Sequence, residues 1–463
     1  MTYQETIRYL ESFINYEKTS SYPYKESLKL ERIKDFLLFI GNPQHDLKCI
    51  HIAGTKGKGS TCAFVSYILK EAGFKVGMYT SPHLSDFRER IRILRPSSKG
   101  LAPKSKKVFE GMIPRRDLVS LVERLKPAIE RFTKNSKFGP LSFFEVYTAL
   151  AFVYFKAKAV DFMVLETGLG GRLDATNTVR PLVCAITPIS YEHTQKLGNT
   201  LGAIAAEKAG IIKSHQVTKS PSHRLIVISA PQEKEALKVI RSRCKNTGAK
   251  LFEIGHEIVY QKSKSGFSVK GIFARYPDLR IRLLGRHQIT NACVAIGIIE
   301  ALKNYNINIS LPNLKKGLYD TVWPGRCEII SRQPLIIADG AQNVASIRAL
   351  KTAVKEKFKF NRIILVLGVS SDKDIRGISK EIIPFTDEAV LTRADNPRAL
   401  SVNKMETIFR SYVNGSYKIT KTRSVEEALG KAINKSGKGD LVLITGSLFV
   451  VGEARMILVT RNL

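Results

Sequence analysis

The sequence predicts an α/β protein made of two domains. Short β-branched, apolar runs alternate along the chain with longer stretches of helical spacing, which is the pattern of α/β folds. The short runs are apolar throughout, as expected of parallel strands that are covered on both faces. The chain has 463 residues, and single hydrophobic cores stop growing beyond roughly 250–300 residues. We therefore expect a larger domain with a mostly parallel sheet, followed by a smaller Rossmann-like α/β domain.

In the larger domain, strands and helices alternate around two glycine-rich turns, and Gly73 closes the first helix. The predicted elements are, in order, strand 49–53, helix 60–72, strand 76–79, helix 143–157, strand 162–165 and strand 183–186.

In the smaller domain the alternation restarts near Leu335. The predicted elements are strand 335–338, a helix ending at about 358, and strands 363–367, 389–391 and 441–444. A capping box over residues 424–427 opens a further helix. Because the proline and glycine of Trp323-Pro324-Gly325 break regular structure, we place the boundary there, which gives domains 1–323 and 324–463.

The composition is that of a folded soluble protein, with 44% hydrophobic and 25% charged residues. The six cysteines have no C-x-x-C or metal-ligand spacing, so we expect reduced thiols and a cytoplasmic protein. The first fifteen residues lack the pattern of a signal peptide, and no run of about 18 apolar residues occurs. We therefore expect no membrane partner.

The net charge is +33, since the chain has 74 Lys and Arg residues but only 41 Asp and Glu residues. Such a field attracts polyanions, so nucleic acid has to be considered as a partner. The excess is spread along the chain, and its densest run, 104–116, lies in a stretch typical of a loop. We favour a solvated basic surface that attracts small anionic substrates, and expect no nucleic-acid binding.

The loop after the first strand has the composition of a phosphate-binding site. Its glycines allow the backbone to turn and present N–H groups to an anion at a helix start. Lys58 would supply a charge for the β- or γ-phosphate, and Ser60 a hydroxyl for Mg²⁺. The spacing departs from the standard one, because Gly59 separates these two residues; the alternative is a tight turn only. The loop is Gly54-Thr55-Lys56-Gly57-Lys58-Gly59-Ser60.

Two polar residues follow later strands. Glu166 follows a buried-looking strand, where ligands of open α/β sheets bind, and its carboxylate suits Mg²⁺. His193 follows the next strand; a lone histidine is more often structural, but this matching position favours a site residue. The segment 207–213 has the pattern of an ordinary helix end with Gly210 at the cap.

Taken in order, the motifs resemble those of the folylpolyglutamate synthase/dihydrofolate synthase family, a branch of the Mur-type ligases. The likeness runs from about Glu31 to Arg455. The motifs that carry it are 54–60, Tyr79 to Leu84, Phe144-Glu145, 166–177, Glu192-His193-Thr194, 207–213, Gly285 to Asn291, Trp323 to Arg326, Asp339 to Asn343, Asp372-Lys373-Asp374, Asn396 to Ala399 and Thr445 to Leu448.

The resemblance implies roles for individual residues. Lys208 matches a lysine that the family carries as a carbamate, and Asn291, Arg326 and Asp339 match residues that contact the nucleotide from across a domain cleft. The implied roles are nucleotide binding for Gly54, Thr55, Gly57, Lys58, Gly59, Ser60, Asn291, Arg326 and Asp339; metal binding for Ser60, Ser81, Glu166 and His193; catalysis for Lys58, His193 and Lys208; and substrate binding for Gln342, Arg398 and Ser447.

The resemblance also implies an activity: ATP- and Mg²⁺-dependent ligation of L-glutamate to dihydropteroate, to folates, or to both, through an acyl phosphate, by a monomer. The family usually has His where this chain has Gln342 and Asp where it has Glu192. Gln cannot titrate, so this exchange bears on glutamate binding. The segments 96–116 and 214–225 look longer than the family's connections, and we interpret them as surface insertions.

Three alternatives remain open at this point. The chain could be a Mur-type ligase for another acid, although the motifs at 323–326 and 339–341 argue against it. It could be a nucleic-acid-binding protein, which would bind in a salt-dependent way but would leave the predicted metal ligands unexplained. A degenerate ligase that serves as a scaffold is motivated by Gln342 alone.

Overall fold

A mostly parallel sheet forms the centre of the larger of two units in the computed structural model. The structure describes residues 1–19, 22–96, 109–214, 224–413 and 415–460. The larger unit comprises Met1–His83, Phe87–Arg282 and Gln288–Thr321, and the smaller one comprises Leu84–Asp86, Leu283–His287 and Val322–Leu463. Each unit has its own α/β sheet, which confirms the predicted fold class.

The main sheet of the larger unit consists of seven strands: β1 (Cys49–Ala53), β2 (Val76–Tyr79), β3 (Ile91–Leu94), β4 (Phe162–Glu166), β5 (Pro181–Ile186), β6 (Ile226–Ser229) and β7 (Lys250–Glu253). They lie in the order β3-β2-β4-β1-β5-β6-β7, with β3 antiparallel to β2 and the other neighbours parallel. The central strand β1 is buried along its whole length, as expected of a parallel strand covered on both faces.

The helices of this unit bury the sheet. They are α1 (Tyr3–Glu11), α2 (Tyr24–Ser27), α3 (Leu30–Phe39), α4 (Lys58–Glu71), α5 (Arg115–Asn135), α6 (Phe143–Ala157), α7 (Thr194–Leu197), α8 (Leu201–Ala209), α9 (Lys234–Thr247), α10 (Arg286–Ala301) and α11 (Leu311–Asp320). One apolar cluster joins α3, α5 and α6 to strands β1 to β4, and another joins α8 and α9 to β5 and β6.

A three-stranded antiparallel sheet also belongs to the larger unit, and the sequence patterns did not predict it. Its strands are β8 (Val259–Lys262), β9 (Phe267–Lys270) and β10 (Arg275–Leu279). The carboxylate of Glu300 on α10 is fully buried and accepts the backbone N–H groups of Ile272, Phe273 and Ala274 at 2.6, 3.0 and 3.0 Å. A buried anion therefore fixes the turn between β9 and β10.

The smaller unit is a six-stranded sheet with helices on two sides. Its strands are β11 (Glu328–Arg332), β12 (Leu335–Ala338), β13 (Ile363–Leu367), β14 (Glu388–Leu391), β15 (Lys418–Lys421) and β16 (Leu441–Thr445), in the order β11-β12-β16-β13-β14-β15 with β11 antiparallel to β12. Its helices are α12 (Val344–Lys357), α13 (Ile375–Ile382), α14 (Val402–Arg410), α15 (Val425–Lys435) and α16 (Leu448–Thr460). Alternate residues of the central strands enter two separate apolar clusters.

Leu84 contributes to the smaller unit although it is far from that unit in sequence. Its side chain packs against the apolar cluster that contains α15 and α16. A Cβ added at Gly452 would lie 2.0 Å from the carbonyl oxygen of Leu84, so the backbones touch there. The three residues Leu84–Asp86 are thus an integral part of this unit.

One local prediction was confirmed and another was wrong in detail. Gly210 is the C-cap of α8, as predicted, with φ −58°. A Cβ at this position would lie 2.6 Å from the Cα of Arg172, so close packing requires the glycine. At α15, Ser424 caps the backbone N–H of Glu427, but the carboxylate of Glu427 accepts from Arg423 at 2.8 Å, so the capping box is only half formed.

None of the helices in the described ranges is long and apolar enough to cross a membrane. The six cysteines are buried and unbridged. The predicted insertions at 96–116 and 214–225 lie largely outside the described residues, and so do residues 104–108 of the basic run 104–116.

Replacing Glu300 with Ala should lower the free energy of unfolding by about 2–4 kcal/mol, because three buried N–H groups would lose their acceptor. Urea unfolding followed by circular dichroism measures the change. Glu130, which is exposed on α5, serves as the control, and Glu130→Ala should change stability by less than about 0.5 kcal/mol. Equal effects of the two substitutions would contradict this role of Glu300.

Candidate active site

The loop between β1 and α4 is held so tightly that side chains are excluded at two of its glycines. Gly54 has φ +147° and Gly57 has φ +88°. A Cβ would lie 1.9 Å from the Thr187 hydroxyl oxygen at Gly54 and 2.2 Å from Asn291 Oδ1 at Gly57. The backbone N–H groups of residues 55 and 56 donate to the Pro188 carbonyl at 3.1 and 3.2 Å, which ties the loop to the end of β5.

Helix α4 begins at Lys58, two residues earlier than the sequence predicted. The first-turn N–H groups, those of Lys58, Gly59 and Ser60, have no carbonyl partner within the helix by its geometry. Together with the positive end of the helix dipole they form an anion-binding surface. Ser60 is buried in this turn, and Thr55 anchors the loop through its hydroxyl, which contacts the Ser190 carbonyl at 3.2 Å.

Glu166 is the last residue of β4, opposite Ile52 of β1. Parallel pairing therefore brings its carboxylate beside the glycine loop. One carboxylate oxygen accepts the backbone N–H of Ser81 at 3.2 Å, and the other lies 3.9 Å from Lys58 Nζ. Three predicted site residues that are far apart in sequence thus meet at one point.

His193 lies in the loop after β5, as the strand pattern predicted. It is exposed, has a left-handed backbone (φ +53°) and immediately precedes α7. No three His, Cys, Asp or Glu side chains within the described ranges form a cluster that could hold a metal ion. Two of the four predicted Mg²⁺ ligands, Ser60 and Ser81, would bind through serine hydroxyls. The fit of this site to Mg²⁺ therefore depends on the oxygen donors around Glu166.

Lys208 is buried in α8, and its ammonium nitrogen donates to the Gly54 carbonyl at 2.8 Å. Burial, together with the nearby charge of Lys58, lowers the pKa of Lys208 to about 7, although the charges of Glu192 and Asp174 oppose the shift. The local sequence signal was that of a helix end only. The structure turns this residue inward to the phosphate-binding loop.

A hub that the sequence patterns missed lies in the loop after Glu166. Asp174 is buried, and its Oδ2 accepts the N–H groups of Gly168 and Leu169 at 2.9 and 2.8 Å. Burial raises the pKa of Asp174, and the hydrogen bonds to its carboxylate oppose that rise. The available signal was an Asp before the short 3₁₀ helix Ala175–Thr178, where aspartate favours capping.

Arg172 and Glu207 join the same loop to α8. The Arg172 guanidinium donates to Glu207 Oε1 at 3.1 and 2.8 Å, while the Tyr24 hydroxyl donates to Oε2 at 3.2 Å. The backbone N–H of Arg172 also donates to the Glu207 carbonyl at 2.8 Å. The residue before Lys208 is thereby fixed by three separate groups.

Asn291 lies beside the phosphate-binding loop within the larger unit, so it does not approach from the smaller one. Its side-chain amide donates to Gln288 Oε1 at 3.0 Å, and both residues are buried in α10. This bond orients the Asn291 oxygen, which faces Gly57.

Within the smaller unit, Asp339 closes the end of β12. Its carboxylate accepts the backbone N–H groups of Cys327 and Ala341 at 2.7 and 2.8 Å. Burial raises the pKa of Asp339, and the charge of Arg326 opposes the rise. Arg326 itself donates to the Gly325 carbonyl at 3.2 Å.

The three predicted substrate residues lie in the same unit but make different contacts. Ser447 lines a cavity of about 10 Å³ at the carboxyl ends of β13, β14 and β16, together with Asn396. Arg398 donates to Asp372 at 2.7 Å. Gln342 precedes α12, and its backbone N–H donates to the Ser346 hydroxyl at 3.1 Å.

Comparison with known proteins identifies relatives over the whole chain. The Mur ligase middle domain matches residues 141–299, and the glutamate ligase domain of Mur ligases matches residues 325–448. A Bacillus subtilis dihydrofolate synthase/folylpolyglutamate synthase is 34% identical over 433 residues, 92% of this chain and 94% of the relative. A Lacticaseibacillus casei folylpolyglutamate synthase is 30% identical over 465 residues, 99% of each protein.

Solved structures extend this likeness. A Mycobacterium tuberculosis folylpolyglutamate synthase complexed with ADP has a TM-score of 0.85 at 28% identity, covering 98% of each chain. The Escherichia coli FolC protein in complex with DHPP and ADP has a TM-score of 0.82 at 27% identity, covering 100% of this chain and 99% of that protein.

The lowered pKa of Lys208 makes stability depend on pH. Between about pH 7 and 10.5 the lysine is charged in the unfolded chain and neutral in the folded one, so stability falls as the pH falls through this window. Lys208→Met removes this dependence. The variant should therefore gain stability relative to the wild type by about 1.4 kcal/mol per pH unit as the pH drops from 10 to 7.

Urea unfolding in CO₂-free buffer at several pH values measures this difference. Lys238→Met, at an exposed position of α9, is the control and should show a difference that does not change with pH. A pH-independent difference for Lys208→Met would contradict the lowered pKa.

Proposed function

Because this chain belongs to the folylpolyglutamate synthase/dihydrofolate synthase family of Mur-type ligases, we propose that it joins L-glutamate to dihydropteroate and to folates. Its similarity to these synthases identifies it as an ATP-dependent ligase. The observation that carries the site assignment is the meeting of Lys58, Ser81 and Glu166 at the start of α4, where a nucleotide phosphate would bind.

The proposed reaction has two steps. A carboxylate oxygen of the acceptor attacks the γ-phosphorus of ATP, the bond to ADP breaks, and an acyl phosphate forms. The amine of L-glutamate then attacks the acyl carbon, phosphate leaves, and the amide nitrogen loses a proton. Lys58 and the first-turn N–H groups of α4 offset negative charge on the transferring oxygens, so positioning and electrostatics supply the catalysis.

The residues around Glu166 suit Mg²⁺, a hard cation that prefers carboxylate and hydroxyl oxygens together with waters and phosphates. We propose Ser60, Ser81, Glu166 and His193 as its ligands. When bound there, Mg²⁺ would supply positive charge for the phosphate oxygens. The Glu166 carboxylate, held by the Ser81 N–H, is the anchor of this set.

Lys208 fits the proposed carbamate because its lowered pKa leaves much of the amine neutral at physiological pH. The neutral nitrogen attacks the carbon of CO₂, a C–N bond forms, and one proton passes to solvent. The product carries a negative charge where a lysine would carry a positive one. Lys58 lies close enough to lower the pKa of the amine, and the same proximity would stabilise the anion.

In the smaller unit we propose Arg326 and Asp339 as nucleotide-binding residues, and in the larger unit we propose Asn291 for the same role. The two backbone bonds of Asp339 and the bond from Arg326 to Gly325 support defined orientations for both side chains.

For glutamate we propose three binding residues, Gln342, Arg398 and Ser447. Arg398 and Gln342 supply donors for its carboxylates. The family usually has His at the position of Gln342. Because the amide of Gln does not titrate, Gln342 would bind glutamate without a pH-dependent charge of its own.

We further propose a cytoplasmic monomer that acts on small molecules and binds neither nucleic acid nor membranes. ATP, folates and glutamate are anions, and the net charge of +33 raises their local concentration.

Purified protein with Mg²⁺, ATP and L-glutamate should release ADP when either dihydropteroate or a reduced folate is the acceptor. Glu166→Ala and His193→Ala should each lower kcat by at least about 100-fold, because both residues are proposed ligands of the Mg²⁺ that would offset charge on the phosphates. A coupled assay for ADP measures the rates. No turnover of wild-type protein with either acceptor would refute the proposed function.

Gly57→Ala and Gly73→Ala make a matched pair for the same assay. Both glycines have a left-handed backbone, at the two ends of α4, but a Cβ at Gly73 would meet nothing within 4 Å. Both variants should lose some stability, and only Gly57→Ala should lose activity. Comparable activity of the two variants would contradict a tight phosphate-binding loop.

Carbamate formation on Lys208 should give a ¹³C NMR signal when the protein is equilibrated with ¹³CO₂. At a fixed concentration of dissolved CO₂, low enough that only a small fraction of Lys208 is carbamylated, the signal should be more than about tenfold stronger at pH 8 than at pH 6. The neutral fraction of an amine with a pKa of about 7 rises about tenfold over this range, and the proton released on carbamate formation favours the product further at high pH. Lys208→Arg should abolish the signal. A signal that persists in this variant would place the carbamate on another lysine.

A further inference from the structure

His51 is a fully buried histidine in the middle of β1, three residues before Gly54, and neither the predicted site nor the proposed reaction uses it. It pairs in register with Leu165 of β4 and Cys184 of β5, so it lies at the centre of the sheet. Burial lowers the pKa of His51 to about 3, which keeps the imidazole neutral.

A chain of hydrogen bonds leads from this imidazole to the loop that follows Glu166. His51 Nε2 lies 2.8 Å from the Thr176 hydroxyl oxygen, which lies 2.5 Å from Asp174 Oδ1. Asp174 also accepts the backbone N–H of Thr176 at 3.0 Å. On its other oxygen it accepts the N–H groups of Gly168 and Leu169.

The direction of these bonds follows from the groups involved. Because three backbone N–H groups already converge on it, the Asp174 carboxylate is an acceptor, so the Thr176 hydroxyl donates its single proton to Asp174. Thr176 can then only accept from His51. The imidazole proton is therefore on Nε2. His51 Nδ1 has no hydrogen-bond partner among the described residues.

We propose that His51 is a positioning residue for the active site. Its Nε2–H donates to the Thr176 hydroxyl, which in turn donates to Asp174. Asp174 accepts the backbone N–H groups of Gly168 and Leu169 and thereby sets the direction of Glu166. This inference rests on the proposed function for what Glu166 does. The chain of bonds itself is a property of the folded protein and can be tested without turnover.

Packing alone does not account for a histidine here. The other residues of β1 are Cys49, Ile50, Ile52 and Ala53, all apolar and fully buried. An apolar residue would fill the same space without leaving Nδ1 unpaired, which costs free energy in a buried site. The imidazole offers something that these residues lack, namely a donor that reaches Thr176.

Four substitutions distinguish the hydrogen bond between His51 and Thr176 from the packing of their side chains. His51→Leu and Thr176→Val remove the bond while keeping approximate volume. His51→Gln keeps an N–H donor at a similar reach, and Thr176→Ser keeps the hydroxyl. Thr178→Val is the matched control, because Thr178 lies in the same 3₁₀ helix and its hydroxyl bonds only the Ala175 carbonyl, at 3.1 Å, in the described structure.

Hydrogen–deuterium exchange of peptides covering 166–174 tests the chain of bonds directly. His51→Leu and Thr176→Val should each speed exchange at Gly168 and Leu169 at least about tenfold. His51→Gln, Thr176→Ser and Thr178→Val should leave it close to the wild-type rate. Unchanged exchange in His51→Leu, or equal acceleration in Thr178→Val, would overturn the proposal even if the protein proves to have another activity.

Kinetics then test the consequence for the site. His51→Leu and Thr176→Val should lower kcat and the apparent affinity for Mg²⁺ about tenfold, as substitutions behind a metal ligand do, with KM for ATP within about twofold. The double variant should be no worse than either single one, since both break the same chain. Additive losses, or failure of His51→Gln to restore kcat, would overturn the positioning role. Absence of ligase activity in the wild type alone would instead refute the proposed function.

Discussion

The parallel pairing of β1 between β4 and β5 is the constraint on which the rest of the site depends. It sets Ile52 opposite Glu166 and Ala53 opposite Ile186, so three strands end at the same edge of the sheet. Each loop that leaves this edge then needs only a short reach to meet the others. The glycine loop is tied to the β5 side by its bonds to Pro188, and Glu166 stands on the other side. The strand register thus brings the loops of the candidate active site together at one edge of the sheet.

Charge around this edge is controlled by burial. Lys58 remains partly accessible beside Glu166, while Lys208 is enclosed and bonded to the backbone of Gly54. Two cations so close would repel each other, and the protein limits this by favouring the neutral amine at Lys208. Asp174 is enclosed as well, but several N–H donors support its negative form. The neighbours of each buried group therefore decide which form is favoured. Lys208, close to Lys58, is shifted toward the neutral amine, whereas the N–H donors around Asp174 stabilise its carboxylate.

Much of the fold could be predicted from the sequence, because the central strands are almost entirely apolar and the helices that cover them are periodic. The strands from Val76 and Leu335 have the predicted bounds. The sheet β8–β10 could not be predicted, since its strands are short and half exposed. In the site, the strand ends pointed to Glu166, whereas the inward direction of Lys208 and the link from His51 to Thr176 depend on contacts between segments that are more than 100 residues apart.

The placement of Leu84 bears on how this protein can be divided. The segment 84–86 belongs to the smaller unit, as does 283–287, so neither unit is one continuous stretch of chain. A fragment cut at the apparent boundary near Val322 would lose the side chain that packs beside α15 and α16 and would expose apolar surface in its place. Exchange of a continuous module at that boundary would likewise separate Leu84 from the residues it packs against. Neither unit can therefore be replaced by one continuous stretch of chain, even though each has its own sheet.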